Sequence, residues 1–286
     1  YATVGPKDKG GVMLSGHTDV VPVTGQAWTV DPFAMTARDG LLYGRGSCDM
    51  KGFIAACVAM APEFARHVQK RPLHFAFTYD EEVGCFGAQA LAKKLAEDGL
   101  RPAVAVIGEP TSMRLIEGHK GSYEYTTRFT GLEGHGSRPE LGVNAVEYAV
   151  RYISRLIELG RKLKVRAPEK SAFEPPWTTI SVGRFAGGIA RNVIAGQAEV
   201  EWEMRPVQQA DADFVKQDLE RYCAEELLPA MQAIWPDAEI NTEVIAEIAG
   251  LGVVDENEAV RIVAKLTGGN HTDVVSFGTE GGIFQQ

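Results

Sequence analysis

A change of rhythm near residue 118 constrains this chain more than any other feature of its sequence. Before it, short apolar runs alternate with amphipathic stretches: a strand at Val12 to Ser15, a helix at Lys51 to Val68, a strand at Leu73 to Tyr79, a helix at Phe86 to Glu97 and a strand at Ala103 to Ile107. Such alternation implies strands joined by crossover helices, hence an α/β fold with a mostly parallel sheet covered on both faces. After Gly118 the order becomes strand 122–130, helix 142–159, strands 178–185 and 197–204, helix 211–232 and strand 238–246. That βαββαβ order is the ferredoxin-like arrangement and is complete in itself, so residues 118–247 read as an inserted domain. An amphipathic helix from about 255 to 267 and a short strand at Val274 to Phe277 return the chain to the first core, which then comprises 1–117 and 248–286.

With 38 acidic against 29 basic residues the chain carries a formal charge of −9, which argues against nucleic acid or an anionic membrane as partner. No apolar run approaches the roughly 18 residues that span a bilayer, and no basic-then-apolar leader opens the chain. Cys48, Cys57, Cys85 and Cys223 have no CxxC spacing and are too few for a disulfide scaffold. They read as small buried thiols in a reducing, cytoplasmic compartment. The chain opens at Tyr1 without a methionine and stops at Gln286, soon after Thr279-Glu280-Gly281-Gly282 enters another loop, so the first domain is expected to be cut at both ends.

Open α/β sheets bind ligands beyond the carboxyl ends of their strands. Here the first strand runs into Gly16-His17-Thr18-Asp19, the second into Asp80-Glu81-Glu82 and the third into Gly108-Glu109-Pro110, while the loop from Tyr43 to Gly52 delivers Asp49 to a helix start. One imidazole and several carboxylates suit a pair of divalent ions sharing a carboxylate bridge. Asp19 can hold the second ring nitrogen of His17. Glu81 and Glu82, on extended backbone, would point to opposite sides, one to a metal and one to an attacking water. Each residue alone has an ordinary alternative: a turn histidine at 17, a helix cap at Asp49, solvated charge at 81 and 82, a turn residue at 109. Four such coincidences at successive strand ends are not ordinary. The Gly44/Gly46 loop lacks the third glycine of a dinucleotide fingerprint and any GK[ST], and Cys48 beside it reads as a packing residue.

In order and spacing, Ser15-Gly16-His17-Thr18-Asp19, Gly44-Arg45-Gly46 through Asp49-Met50-Lys51-Gly52, Asp80-Glu81-Glu82-Val83-Gly84 and Gly108-Glu109-Pro110-Thr111 resemble the metal-site motifs of the co-catalytic zinc peptidase and deacylase family. The insert resembles that family's lid and dimerisation domain, with Gly134-His135-Gly136-Ser137 and Arg191-Asn192-Val193-Ile194 in the expected places. The resemblance implies two divalent ions, Zn2+ or else Co2+, with His17 and Glu109 on one, Glu82 on the other and Asp49 bridging. It also implies Glu81 as general base, Asp19 orienting His17, and a cis peptide at Asp49-Met50. In a homodimer paired through the lid, His135 would stabilise the oxyanion in the partner subunit's site, and Asn192 and Arg205 would hold the substrate's carbonyl or carboxylate. The ordinary readings are a surface turn for His135 and a strand-end salt bridge for Arg205.

The implied activity is metal-assisted hydrolysis of a small N-acyl amino acid. Cys48, Cys85 and Glu117-Gly118-His119-Lys120-Gly121 resemble the branch that deacetylates N2-acetyl-L-ornithine; desuccinylation of acylated diaminopimelate and dipeptide cleavage are alternatives on the same scaffold. The family's histidine on the second metal has no counterpart before Gln286, because His271, beside Gly268-Gly269-Asn270, reads as a turn residue. A weak or empty second metal site is therefore expected, and a non-catalytic binding protein is the reading from another class.

Overall fold

Near-continuous apolar runs such as Val12-Met13-Leu14 and Val104-Ala105-Val106-Ile107 suit strands buried on both faces, as in parallel sheets. The computed structural model, which describes residues 1–6, 10–68 and 70–286, places them so. Its first stretch contains β1 (Ala2–Val4), β2 (Val12–His17), a small hairpin of β3 (Thr36–Arg38) and β4 (Leu41–Tyr43), α1 (Gly52–His67), β5 (Leu73–Thr78), α2 (Phe86–Glu97), β6 (Val104–Ile107) and β7 (Leu115–His119). One sheet has the order β1-β5-β2-β6. In it β2 runs parallel to β5 and β6, and β1 is an antiparallel edge. Met13, Ala76 and Leu95 are its buried core, with Leu91, Ala105 and Phe284 packed against them. The first strand runs two residues further than its apolar run suggests, through Gly16 to His17.

Residues 120–250 form a second compact unit. It contains β8 (Ser122–Thr130), β9 (Gly134–His135), α3 (Ala145–Lys164), β10 (Thr179–Gly187), β11 (Val193–Ile194), β12 (Gln197–Arg205), α4 (Gln209–Tyr222), α5 (Leu228–Gln232) and β13 (Glu239–Ile248). The sheet is antiparallel with order β10-β12-β8-β13. Along β12 the period-2 pattern turns Ala198, Val200, Trp202 and Met204 inward. They join one core with Tyr148, Tyr152, Leu156, Leu159 and Leu163, the apolar stripe that α3 repeats every three or four residues. The other face carries Arg128 and Arg184 paired with Glu199, Glu201 and Glu243. Asn144 caps α3, accepting from the Val146 N–H at 3.2 Å, so the helix starts at Ala145 and not at Gly142.

From Leu251 the chain rejoins the first unit, which spans 1–119 and 251–286, through α6 (Glu258–Thr267), β14 (Thr272–Val275) and α7 (Gly281–Gln285). The late strand, expected at Val274 to Phe277, starts earlier and pairs in parallel with β7, outside the four-stranded sheet. No helix among the described residues is long and apolar enough to cross a membrane.

Candidate metal centre

Because β2 is parallel to β5 and β6, all three strands end on the same edge, and the polar residues that follow them share that edge. His17, paired with Thr78 across β2 and β5, is only 1% exposed. Its Nδ1 lies 3.1 Å from the Asp19 main-chain oxygen. Since a carbonyl can only accept, Nδ1 carries the proton, and in the neutral ring Nε2 keeps its lone pair. Nε2 lies 3.1 Å from Asp49 Oδ1, to which a protonated ring donates, and 3.9 Å from Glu109 Oε1.

Asp49 sits in the turn Ser47–Lys51 with a cis peptide to Met50, as the resemblance implies. It caps no helix: neither that turn nor α1 has a side-chain cap. Ligand atoms of His17, Asp49 and Glu82 all lie within 4.8 Å of one another.

The Glu81-Glu82 pair is not on extended backbone. Asp80 takes a left-handed conformation at φ 53°, residues 81–84 turn, and Cys85 is left-handed at φ 56° before α2 begins. The two side chains diverge because the chain turns, not because a strand alternates. Gly87 permits the turn: a Cβ there would stand 2.5 Å from both Tyr79 N and O. Gly108 likewise lets Phe53 lie against the end of β6, where a Cβ would meet the ring at 2.1 Å. Asp19 does more than face His17: its Oδ2 accepts from the Glu82 N–H at 3.0 Å while its Oδ1 stays 3.5 Å from His17 Nδ1.

Charge here is one-sided. Asp19, Asp49, Glu81, Glu82, Glu109 and a sixth carboxylate, Glu280, surround one imidazole, and among the described residues no Lys or Arg pairs with any of them. Burial first, then Glu81, Asp49 and Glu280 against the opposing pull of His17, push the Glu109 carboxyl up to about 8. Burial with Glu82 and Glu280, again opposed by His17, pushes Glu81 up to about 7. Glu82 is raised by burial and by Asp49. For His17 burial would lower the value, but Glu81, Glu109 and Asp49 outweigh it and raise it. Like-charged groups that cannot all ionise ask for protons or a cation. Among the described residues Glu109 Oε1 and Asp19 Oδ1 are buried without a hydrogen-bond partner, which a bound cation or its water ligands would relieve. The residues fit a divalent-metal site. A largely apolar cavity of about 740 Å3 under β6 meets this group through Glu109 but does not include His17, Asp49 or Glu82.

The remaining expected residues lie in the second unit. There β9 pairs with β11, setting His135 opposite Val193, and the Gly136 N–H donates to the Asn192 carbonyl at 2.8 Å, so His135 and Asn192 neighbour one another. His135 is exposed, with Nδ1 2.8 Å from Ser137 Oγ. Arg205 makes the strand-end salt bridge that is its ordinary reading: Nε and Nη2 donate to Glu203 Oε2 at 3.0 and 2.6 Å, and Nη1 to Ser122 Oγ at 2.7 Å. Cys48, expected to pack, is exposed, whereas Cys57 and Cys85 are buried. His271 is exposed and paired with Asp273 at 3.2 Å, as suits a turn residue. Glu280 was legible only as a loop entry.

The model of peptidase family M20/M25/M40 matches residues 13–261. A curated acetylornithine deacetylase from Erwinia tasmaniensis is 37% identical over 277 residues, 97% of this chain and 70% of that protein. The fold is similar to a tripeptidase from Staphylococcus aureus, at TM-score 0.65 and 21% identity over 99% of this chain and 72% of that one. It is also similar to a dinuclear metal-binding M20 peptidase from Bacillus subtilis, at TM-score 0.61 and 18% identity over 99% of this chain and 71% of that one.

Proposed function

Because the chain belongs to peptidase family M20/M25/M40, we propose that it hydrolyses the amide of N2-acetyl-L-ornithine to L-ornithine and acetate, a step toward arginine. The observation that carries this reading is the convergence of His17, Asp49 and Glu82, beside Glu109 Oε1, which lies 3.9 Å from His17 Nε2 and has no hydrogen-bond partner among the described residues. Identity of 37% to a curated acetylornithine deacetylase over 97% of the chain supports the substrate.

His17 and Glu109 would hold one divalent cation and Glu82 the other, with Asp49 shared between them; the acid-rich donor set suits Zn2+ or Co2+. Once bound, such cations would supply Lewis-acid polarisation of the acyl oxygen and a water of lowered pKa. Glu81, whose carboxylate stands apart from the His17, Asp49 and Glu82 cluster, would take the proton from the attacking water and return it to the leaving nitrogen. Asp19 fixes the ring of His17 through its carbonyl and the Glu82 backbone through its carboxylate. The second unit serves as a ferredoxin-like lid that pairs two chains, with His135 offsetting the developing oxyanion of the partner subunit's substrate and Asn192 and Arg205 holding substrate oxygens. Four free cysteines suit the cytoplasm.

Purified protein supplied with Zn2+ should release ornithine from acetylornithine faster than it cleaves succinyl-diaminopimelate or a dipeptide. A preference for either alternative would reassign the substrate; no cleavage of any amide by zinc-loaded protein would sink the hydrolase reading.

A further inference from the structure

Glu280 has no part in the roles above, yet it is 0% exposed beside them. Its Oε2 accepts from Ser15 Oγ at 2.8 Å and its Oε1 from Thr78 Oγ1. Ser15 precedes His17 by two residues on β2, so their side chains share a sheet face. Thr78 is the residue of β5 paired with His17, and it stands three before Glu81. One carboxylate thus ties together, on the face His17 presents, the two strands whose ends supply His17 and the Glu81-Glu82 turn.

The chemistry of this tie is unusual. A buried carboxylate needs counter-charge or a full set of donors, and Glu280 has two hydroxyls and, among the described residues, no Lys or Arg ion pair. Its charged neighbours are His17 on one side of the balance and Asp19, Glu81 and Glu109 on the other. Burial holds its carboxyl above the usual range despite the two hydroxyl donors. A glutamine would fill the same space without a charge to desolvate, its Oε1 accepting from one hydroxyl and its NH2 donating to the other. What the acid adds is negative charge close to a cluster that collects cations.

We propose that Glu280 is a positioning residue of the metal centre: through Ser15 and Thr78 it sets the ends of β2 and β5, and its charge strengthens the hold on divalent cations. This rests on the reading that the His17, Asp49, Glu82 and Glu109 cluster binds metal.

The test is titration of Zn2+ against the protein and Glu280→Gln in competition with a chromophoric chelator, with thermal melts of both proteins free of metal. Zinc affinity should fall about 10- to 100-fold, the range of partners that orient metal ligands. The metal-free melting temperature should hold or rise, because a buried charge has gone. Ser15→Ala, which removes one donor but keeps the acid, should weaken zinc by a smaller factor, and it decides the matter if Glu280→Gln does not fold. Unchanged zinc affinity in the variant that folds overturns the inference, as does a metal-free melting temperature that drops in step with affinity, which would make Glu280 a fold element only. If the unsubstituted protein itself binds no Zn2+, the metal reading fails first and this one with it.

Discussion

Glu81 and Glu82 are adjacent in sequence but separated in chemistry by the turn they occupy. Glu82 contributes an atom to the 4.8 Å cluster with His17 and Asp49. Glu81 does not; its side chain has Cys85 Sγ at 3.6 Å and lies half-buried among other acids. Replacing each in turn by glutamine keeps volume and removes charge. On the proposed role of Glu81 as base, Glu81→Gln should lose about 10²- to 10⁴-fold in turnover, or roughly 3–6 kcal/mol of barrier at about 1.4 kcal/mol per tenfold, with metal content unchanged. On the proposed role of Glu82 as a metal ligand, Glu82→Gln should lower metal affinity by more than the ~10- to 100-fold worth of an outer partner, and turnover should recover in part as metal is raised. The assay pairs metal content by mass spectrometry with release of free amine from acetylornithine across a zinc series. Equal metal loss in both variants, or a Glu81→Gln enzyme with more than about a tenth of normal turnover, would refute the division of labour.

Gly87→Ala sets a Cβ 2.5 Å from the Tyr79 backbone, so denaturant melts should show a loss on the order of 1–3 kcal/mol; an unchanged midpoint would mean the turn after β5 yields freely. Phe129, fully buried between β8 and α3 in the second unit's core, should cost about 3–5 kcal/mol as Phe129→Ala, read by urea unfolding, and a smaller loss would show that core collapsing around the cavity. Mixed dimers of a His135→Ala chain and a Glu81→Ala chain should recover part of the activity both parents lack, because one pairing restores an intact site; no recovery would remove the trans role of His135.

Much of this protein was legible before any coordinates. The strand-helix alternation, and its replacement after residue 118 by βαββαβ, follow from the spacing of apolar residues, and the helix Phe86–Glu97 and the strand Ser122–Thr130 lie where that spacing puts them. Likewise, the order of acids and histidine after successive strands follows from chemistry that one-dimensional motifs preserve. Elements with weak or short apolar signals were not visible: β1, the β3–β4 hairpin and β7 are three to five residues long, and pairing partners decide them, not their own patterns.

Side-chain partnership belonged to the tertiary structure throughout. Sequence alone left Asp49 open between a cap and a ligand; the structure shows it capping neither its own turn nor α1 and brings its Oδ1 within 3.1 Å of His17 across 32 positions. For Arg205 the sequence offered a substrate holder or a strand-end salt bridge, and only the structure supplies the Glu203 and Ser122 partners of its guanidinium. Glu280 shows the limit most clearly. Local sequence marks it only as a polar residue before two glycines, whereas its contacts to Ser15 and Thr78 span 265 and 202 positions. Periodicity records which face of an element is buried, because that follows from the element's own geometry. It carries no trace of which distant hydroxyl a buried acid will meet, since that is settled only when separate strands close into one sheet.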